Sequence, residues 1–412
     1  MNSTVSTKPE VPGFSGLGIE PKILEVLNRL QFKVPTPIQH KAIPPALEGK
    51  DLIGVAQTGT GKTLAFAIPM IQQLPALKKK GLVILPTREL AIQVDETFQK
   101  IGRPFGLKTA VLIGGAPMNR QIQDIRRNPD VVICTPGRMI DHLQQKTIAL
   151  GGVGILVLDE ADRMLDMGFA PQIKQILGVV PKERQTLLFS ATMPDDIVRI
   201  ATTHMKLPLR IEIARPGTAA ENVEQEVFIV RPTQKIALLQ VLLKQYEGTV
   251  LIFTRTKYGA KKICSALLRL GHSAAEIHSN RSLSQRKEAL NGFKTGKYRV
   301  LVATDIASRG IDVTGIELVL NFDVPEQAED YIHRIGRTAR AGHTGRAITF
   351  AMPDQGSKVR NIERLMRMAL KISKLPDDLP QDQSPSPLSR PPRPHHSGYR
   401  PKRHGPPQRR RY

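Results

Sequence analysis

Residues 51–63 of the chain read DLIGVAQTGTGKT, an apolar run followed by a glycine-rich loop that ends in lysine and threonine. The apolar helical pattern LAFAIPMIQQL follows directly at residues 64–74. A strand, a glycine loop and a helix in this order bring backbone N–H groups and a helix N-terminus together, an arrangement that binds phosphate. The stretch therefore predicts an α/β fold with a phosphate-binding loop at the end of a strand.

The loop supplies the residue types that a triphosphate site requires. Gly59 and Gly61 allow the backbone to approach phosphate oxygens, Lys62 can reach the β and γ phosphates, and Thr63 can hold Mg²⁺. Ala56 stands where the strict motif has glycine. The alternative interpretation is an ordinary glycine turn beside a solvated lysine.

A second apolar run ends in acidic residues. Residues 154–165 read GILVLDEADRML, so that the run leads into Asp159, Glu160 and Asp162. Neighbouring carboxylates repel one another and resist burial unless a cation lies beside them. Together with the glycine loop, they predict that Asp159 holds Mg²⁺ through water and that Glu160 polarises an attacking water. Taken alone, two acids at a strand end are often only a helix N-cap.

The chain carries 60 Lys and Arg against 37 Asp and Glu, a formal net charge of +23 over 412 residues. So large an excess favours a polyanionic partner, of which nucleic acid is the commonest. Residues 384–412 hold eight Lys or Arg and no acid, so the rest of the chain is basic as well. A basic solubilising surface or tail is the alternative.

Cysteine usage and hydropathy bear on the compartment. Cys134 and Cys264 are the two cysteines, and neither has a second ligand at zinc spacing, so we expect no zinc site and no disulfide framework. The first residues lack the apolar core of a signal peptide, and no apolar run approaches the ~20 residues that span a bilayer. The sequence predicts a soluble, cytoplasmic protein.

Short apolar runs alternate with amphipathic helical patterns in both halves of the chain, which predicts two mainly parallel sheets with helices on both faces. The predicted strands are residues 51–56, 81–86, 109–115, 130–135, 154–159 and 185–191 in the first half, and residues 226–230, 249–254, 273–278, 299–304, 316–323 and 346–351 in the second. A remote duplication is compatible with this pattern, although the sequence shows no plain repeat.

Changes in composition suggest the domain boundaries. We expect a disordered N-terminus at residues 1–13, a first domain at 14–213, a linker at 214–225 and a second domain at 226–372. Residues 373–412 are rich in proline and arginine, which predicts a disordered basic tail. Such a tail suits loose, salt-sensitive contact with RNA, and a merely solubilising role is the alternative.

The chain resembles the DEAD-box ATP-dependent RNA helicases of superfamily 2, since residues 159–162 are DEAD and further blocks occur in the family order. These blocks are PTPIQ (35–39), AQTGTGKT (56–63), PTREL (86–90), GG (114–115), TPGR (135–138), SAT (190–192), IFTRT (252–256), ATDIASRGID (303–312) and HRIGRTAR (333–340). The resemblance covers residues from about 14 to 370. It implies two tandem RecA-like domains, with ATP and RNA bound across the cleft between them.

The resemblance implies a role for each residue of the nucleotide site. Gln39 would read the adenine edge, Phe32 would stack on adenine, and Asp305 would contact the ribose, while Phe14 matches an isolated upstream aromatic. Core packing is the alternative for both aromatics. The catalytic set would be Lys62, Glu160, Arg337 and Arg340, with both arginines acting as fingers on the γ-phosphate. The set that binds ATP and Mg²⁺ would be Phe32, Gln39, Thr58, Gly59, Thr60, Gly61, Lys62, Thr63, Asp159 and Asp305, with Thr63 and Asp159 at the metal.

Further sets would couple hydrolysis to domain closure and would bind RNA. The coupling set would be Asp162, Ser190, Thr192 and His333, although a serine or threonine at a strand end is more often a simple cap. The RNA-binding set would be Arg88, Gly115, Thr135, Arg138, Arg255, Arg286 and Thr304. Contacts to sugar and phosphate make such binding largely independent of base sequence.

Three residues depart from the family pattern close to these sets. Gln31 and Ala339 stand where the family usually has glycine, so some backbone freedom is lost beside Phe32 and Arg340. Leu283 stands where the family often has glutamine, three residues before Arg286, so one polar contact is expected to be missing.

The implied activity is RNA-stimulated hydrolysis of ATP to ADP and phosphate, coupled to local unwinding of short RNA duplexes or to remodelling of ribonucleoproteins. A DNA-translocating helicase and a slowly hydrolysing RNA clamp are the alternatives. The short N-terminus and the basic tail look most like the bacterial RhlE-like group. A monomer is expected, with ribosomal precursors or the degradation machinery as candidate partners and no membrane association.

Overall fold

The computed structural model describes residues 13–57, 59–213, 223–305, 313, 315–339, 344–376 and 379. Within these ranges, the first half of the chain forms a seven-stranded sheet in which every neighbouring pair is parallel. Across the sheet lie β3 (Thr109–Leu112), β4 (Val131–Cys134), β2 (Lys80–Ile84), β5 (Val153–Leu158), β6 (Gln185–Ser190), β1 (Leu52–Val55) and β7 (Leu209–Glu212).

The second half forms another seven-stranded parallel sheet with the same strand order. Across it lie β10 (Ala274–Ile277), β11 (Val300–Ala303), β9 (Val250–Phe253), β12 (Leu318–Asn321), β13 (Gly345–Ala351), β8 (Val223–Ile229) and β14 (Lys371–Ser373). The shared order supports a duplication that the sequence does not reveal.

Helices cover both faces of each sheet because alternate strand residues point into different apolar clusters. In β2, Leu82 and Ile84 belong to one cluster and Val83 to the other. The helices of the first half are α1 (Pro21–Arg29), α2 (Pro37–Leu47), α3 (Lys62–Leu77), α4 (Arg88–Gly102), α5 (Met118–Arg126), α6 (Pro136–Gln144), α7 (Ala161–Asp166), α8 (Ala170–Val179) and α9 (Asp195–His204). Those of the second half are α10 (Lys235–Gln245), α11 (Lys257–Arg269), α12 (Leu283–Lys294), α13 (Ala328–Ile335) and α14 (Gly356–Met366). Short 3₁₀ turns lie at Arg103–Phe105 and Pro353–Gln355.

No helix in the described ranges combines the length and the apolar character that crossing a bilayer requires.

The sequence pattern misses two of the four edge strands, β7 and β14. Both are short and mostly exposed, with Leu209 and Ile372 facing solvent, so neither has the continuous apolar run of a central strand. β8 begins at Val223, inside the predicted linker. At the other end, Ser373 belongs to β14, and Leu379 is buried against the core of the second sheet, so the folded part extends into the predicted tail. Residues 1–12, 214–222 and 380–412 lie outside the described residues.

The carboxyl ends of the parallel strands bring the sequence motifs to one edge of each sheet, where open α/β folds bind ligands. In the first sheet, β1 leads into the glycine loop, β5 leads into Asp159, and β6 ends at Ser190. In the second sheet, β9 leads to Arg255 and β11 to Asp305.

Candidate active site

The glycine loop has the backbone that phosphate binding requires. Gly59 and Gly61 have φ angles of +84° and +87°, and α3 begins at the next residue, Lys62. A Cβ atom at Gly61 would displace the Gln39 amide that bonds to this loop, and the left-handed φ favours glycine as well. Thr60 closes the loop by donating its hydroxyl to the Gln57 carbonyl at 2.8 Å. Thr58 lies outside the described residues.

Lys62 points from the loop towards the acidic end of β5. Its ammonium is buried, donates to the Ala56 carbonyl at 3.1 Å and lies 3.9 Å from the Asp159 carboxylate. Burial raises the pKa of Asp159 to about 6, against the opposing charge of Lys62. Thr63, in the first turn of α3, is only partly buried. Lys62, Thr63 and Asp159 together form a small polar pocket where β1 and β5 end and α3 begins.

Glu160 has an unusual conformation and several cationic neighbours. Its φ of +51° is left-handed, a conformation that costs a residue with a side chain roughly 1–2 kcal/mol and is common at functional sites. Burial alone would raise the pKa of Glu160, but the charges of Arg163, Lys62 and Arg337 outweigh it and hold that pKa below its ordinary value. Arg163 donates to the carboxylate at 3.3 Å. These three cations, rather than a metal alone, make the buried acids tolerable.

Asp162 joins the β5 end to the β6 end. One of its carboxylate oxygens accepts hydrogen bonds from the Thr192 hydroxyl at 2.9 Å and from the backbone N–H groups of Thr192 and Ala191 at 2.8 and 3.0 Å. The backbone N–H of Asp162 donates to the Ser190 hydroxyl at 3.2 Å. The structure therefore brings three of the four predicted coupling residues into one network.

His333, on α13 of the second half of the chain, faces this network. A cavity of about 660 Å³ opens between the two halves of the chain, lined by Gln57 and Thr192 on one side and by Asp330 and His333 on the other. Arg337 follows one helical turn after His333, is buried, and donates to the His333 carbonyl at 3.3 Å. Arg340 lies outside the described residues.

Arg334 is a residue of this site that sequence reasoning missed. It forms a bidentate ion pair with Asp305, at 2.6 and 2.8 Å, and also donates to the Asn321 amide and to the Asp323 carbonyl. Arg334 lies inside the HRIGRTAR block, so the sequence places it in a functional motif. Nothing in the sequence identifies Asp305 as its ion-pair partner. Asp305, predicted to contact the ribose, is oriented by this pair. Arg163 was missed for the same reason.

The region predicted to hold adenine contains one buried and one exposed aromatic ring. Phe14 is 5% exposed and belongs to the core, as the alternative interpretation has it, whereas Phe32 is 39% exposed and accessible at the surface. Gln39 accepts from the Thr36 backbone at 2.9 Å and donates to the Gly61 carbonyl at 3.0 Å. It therefore joins α2 to the glycine loop.

The predicted RNA contacts of the first half cluster at one edge of the sheet. The Arg88 guanidinium lies against the backbone of Gly115, whose φ is +78°. Arg138 donates to the Ala116 carbonyl at 3.0 Å, and Thr135 is the buried N-cap of α6. Such a group of backbone amides and guanidinium ions suits contact with phosphate.

The predicted RNA contacts of the second half have different surroundings. Arg255 is exposed and pairs with Glu326 at 3.1 Å, and Thr304 is half-buried beyond β11. Arg286 is buried and forms an ion pair at 2.8 Å with Glu89, which is on α4 of the first half. This pair joins the two halves, and RNA contact by Arg286 stays a prediction. Leu283 packs against the apolar cluster of the first half, and the missing polar contact at this position stays a prediction.

Gln31 and Ala339 both have left-handed backbones, with φ angles of +63° and +52°. Glycine adopts this conformation without strain, which explains why the family usually has glycine there.

Ala339→Gly should therefore raise the free energy of unfolding by about 0.5–1 kcal/mol, since relief of strain exceeds the entropy that glycine adds to the unfolded chain. Differential scanning calorimetry would measure the change. Ala347→Gly, in strand β13, should do the opposite, and a loss of stability in both variants would contradict the prediction.

The donor set fits a metal-bound triphosphate. Two buried carboxylates, a buried ammonium and a helix N-terminus surround a loop whose glycine backbone leaves room for phosphate. The guanidinium of Arg337, which follows α13 in the second half of the chain, contributes positive charge at Glu160. The arrangement can bind phosphate, orient a water and stabilise negative charge on a phosphoryl group.

Comparison with known proteins agrees with this chemistry. The family model for DEAD/DEAH box helicases matches residues 36–200, and the model for the helicase conserved C-terminal domain matches residues 234–342. The ATP-dependent RNA helicase CshA of Listeria monocytogenes is 44% identical over 366 residues, which are 88% of this chain and 70% of that protein. The ATP-dependent rRNA helicase RRP3 of Debaryomyces hansenii is 41% identical over 377 residues, 90% of this chain and 77% of that protein.

Among solved structures, S. cerevisiae Dbp5 bound to RNA and ADP BeF3 matches with a TM-score of 0.79 and 29% identity, covering 88% of this chain and 95% of that chain. The overlap spans both sheets, so the two halves are tandem RecA-like domains. Their mutual arrangement resembles that of a chain which holds nucleotide and RNA together.

Proposed function

Because the chain belongs to the DEAD-box helicase family, we propose that it is an ATP-dependent RNA helicase whose active site is complete only when its two domains meet. ATP hydrolysis would be stimulated by RNA and coupled to local unwinding of short duplexes or to remodelling of ribonucleoproteins. The observation that carries the proposal is that Arg337, from the second domain, lines one small cavity with Arg163 of the first, the residue that donates to Glu160, and that the charge of Arg337 lowers the pKa of Glu160. Neither domain alone contains both groups.

Each residue of the site has a separate task in this proposal. The glycine loop and Lys62 bind the phosphates, and Glu160 accepts a proton from the attacking water. Its lowered pKa keeps Glu160 ionised at neutral pH, as a general base must be. Arg337 stabilises the charge that develops on the γ-phosphoryl group, and Arg340 is the second proposed finger. Phe32 and Gln39 hold the adenine, and Asp305, oriented by Arg334, holds the ribose.

Mg²⁺ is the metal we propose for the site. Thr63 and Asp159 would hold it, Asp159 partly through water, since oxygen ligands and retained waters suit this ion. When bound, it would neutralise part of the phosphate charge. Asp159, whose pKa burial raises to about 6, must be ionised to serve as a ligand, and Lys62 stabilises its ionised form.

Closure would couple the nucleotide site to RNA. The network of Asp162 with Ser190 and Thr192 lies beside the cavity that His333 lines. A movement of the second domain would therefore change contacts at the ends of both β5 and β6. RNA would lie across the edge that carries Arg88, Gly115 and Arg138 and continue to the second domain at Arg255 and Thr304. Binding of either ligand would then favour binding of the other.

The direct test is ATP hydrolysis by the purified chain with and without RNA. We expect single-stranded RNA to stimulate the rate strongly and DNA of the same sequence to stimulate it less, because contact with the 2′-OH distinguishes the two. Equal stimulation by DNA would favour a DNA helicase. ATP-dependent RNA binding without measurable hydrolysis would favour a clamp.

The ion pair between Glu89 and Arg286 allows a prediction about closure. Removing one partner leaves the other charge buried and unpaired in the closed state, which should cost about 2 kcal/mol or more. Arg286→Ala and Glu89→Ala should each weaken RNA binding in the presence of an ATP analogue, and the double variant should lose less than the sum. If Arg286 instead acts only by touching RNA, Glu89→Ala would be neutral. RNA titrations of the four proteins separate the two outcomes.

Truncation of the tail should separate an RNA-binding effect from a folding effect. Removing residues 380–412 deletes eight basic residues, so affinity for RNA and its salt dependence should fall while ATP hydrolysis without RNA is unchanged. Removing residues 376–412 also deletes Leu379, which is buried against the second domain. The melting temperature of this longer truncation should therefore fall as well. Calorimetry and RNA titrations at two salt concentrations would test this. Unchanged RNA affinity after the shorter truncation would leave the tail a solubilising role.

Several finer predictions stay open beside this proposal. They are membership of the RhlE-like group, a cytoplasmic location, a monomeric state, and ribosomal precursors or the degradation machinery as partners. Crosslinking the protein to cellular RNA and sequencing the bound fragments would identify the RNA class.

A further inference from the structure

Helix α11 carries a basic and aromatic stripe on its solvent side. Tyr258, Lys261, Lys262 and Arg269 are spaced so that they share one helical face, and all four are exposed. The opposite face, with Ala260, Ile263, Cys264 and Leu267, packs on the second sheet. The stripe therefore has a fixed direction over the length of a helix of about 20 Å.

The aromatic member of the stripe is unusually accessible. Tyr258 is 73% exposed in a chain that has six tyrosines and no tryptophan. The ammonium of Lys257 lies 5.4 Å from its ring centroid and is held by the Asn280 side chain at 3.1 Å. A tyrosine ring with a cation at its side is a surface on which a base can stack.

The fold does not require this helix to be basic. By strand order, β9 corresponds to β2, so α11 corresponds to α4 in the first domain. α4 carries Glu89, Asp95 and Glu96 beside its basic residues, whereas α11 carries no acid. Within the described residues, no ion pair involves Lys261, Lys262 or Arg269, so their charges remain available to an anion.

The stripe begins where the proposed RNA path ends. Arg255, a proposed RNA contact, stands two residues before Lys257 and is exposed as well. A single strand that leaves the cleft at Arg255 would meet Tyr258 next and then Lys261 and Lys262. The stripe repeats the combination that sequence-independent sites for single strands use, namely cations for the backbone and an aromatic ring for a base.

We propose that α11 forms an additional RNA subsite, which binds a single-stranded segment outside the interdomain cleft through stacking on Tyr258 and phosphate contacts to Lys261 and Lys262. The proposal rests on the proposed RNA helicase function and extends its binding surface. The subsite would tether long RNA near the cleft without taking part in hydrolysis.

The test compares oligouridines of 6 and 20 nucleotides, in the presence of a non-hydrolysable ATP analogue. The double variant Lys261→Glu/Lys262→Glu should bind the 20-mer at least tenfold more weakly, and its salt slope should shrink by about 1.4, at roughly 0.7 for each lost phosphate contact. Tyr258→Ala should lose about fivefold or more on the 20-mer, as expected for one stacked base. Affinity for the 6-mer, which the cleft alone would hold, should be unchanged in all variants.

Lys244→Glu/Arg364→Glu is the matched control, because it makes the same charge change at two exposed residues in the last turns of α10 and α14. An equal loss in this control would mean that net charge alone acts, which would overturn the proposal. Unchanged 20-mer binding in the α11 variants would overturn it as well and would leave the stripe to an acidic protein partner. Failure of the helicase assignment would look different, since the wild-type chain would then show no ATP hydrolysis with the 6-mer.

Discussion

Replacing Arg337 by alanine is expected to lower kcat for RNA-stimulated ATP hydrolysis by roughly 10³–10⁵, the range that arginine fingers contribute. Arg337 is buried, and its charge acts on Glu160 of the other domain. Its contribution arises only when the domains meet, so the loss should fall on kcat, while the first domain still binds ATP. Single-turnover hydrolysis at saturating RNA, together with an ATP-binding titration, would separate these quantities.

Two control variants make the result specific. Arg337→Lys keeps the charge but loses the planar fork, so it should recover only part of the rate. Arg360→Ala removes an exposed arginine of α14 and should leave the rate unchanged. Because Arg337 is buried, calorimetry must show that the alanine variant remains folded. A folded Arg337→Ala protein that hydrolyses ATP within tenfold of the wild-type rate would contradict its role as a finger.

Glu160→Gln should lower the hydrolysis rate by roughly 10²–10⁴, the usual contribution of a positioned general base. The amide has nearly the same shape, and its oxygen can still accept the hydrogen bond that Arg163 donates at 3.3 Å. It cannot take a proton from water at neutral pH. The variant should therefore bind RNA in an ATP-dependent manner and release it slowly, which a filter-binding time course would measure.

The matched control is Glu183→Gln, which removes an exposed carboxylate that pairs with Lys206 at 2.7 Å. It should hydrolyse ATP at the wild-type rate. Should Glu160→Gln keep its turnover, another group must be the base. Loss of both turnover and ATP-dependent RNA binding would point instead to a collapse of the cluster formed with Lys62 and Arg163.

The central strands could be predicted because burial on both faces leaves a direct mark in the sequence. β1, β2, β5 and β6 each contain a run of buried apolar residues, and each coincides with a predicted strand within two residues at either end. β7 and β14 pair on one side only and are largely exposed, so their residues are not required to be apolar. The sequence lacked a signal for them.

Some residues of the candidate site could likewise be predicted from the sequence, and others could not. Gly59, Gly61 and Lys62 could be predicted because local backbone geometry demands their types in a fixed order. Arg163 and Arg334 could not be assigned roles, since their function depends on where two distant segments meet. The Glu89–Arg286 pair is the clearest case, because its partners are on different domains and the sequence around either residue does not identify the other.

The three departures from the family pattern predicted backbone conformation better than they predicted side-chain contacts. Gln31 and Ala339 were expected to lose backbone freedom, and both have a positive φ. Leu283 was expected to leave a polar contact missing, which stays a prediction, and it packs against the apolar cluster of the other domain, which the sequence did not indicate. A residue type alone indicates what a backbone can adopt, whereas the partner of a side chain depends on tertiary structure.

The most direct test of the account is the affinity for single-stranded RNA measured with and without a non-hydrolysable ATP analogue. A site shared by both domains predicts that the analogue tightens RNA binding by at least fivefold to tenfold, and that RNA tightens analogue binding by the same factor. Two ligands that bind with the same affinity whether or not the other is present would show that they do not share a closed state, and would contradict the account.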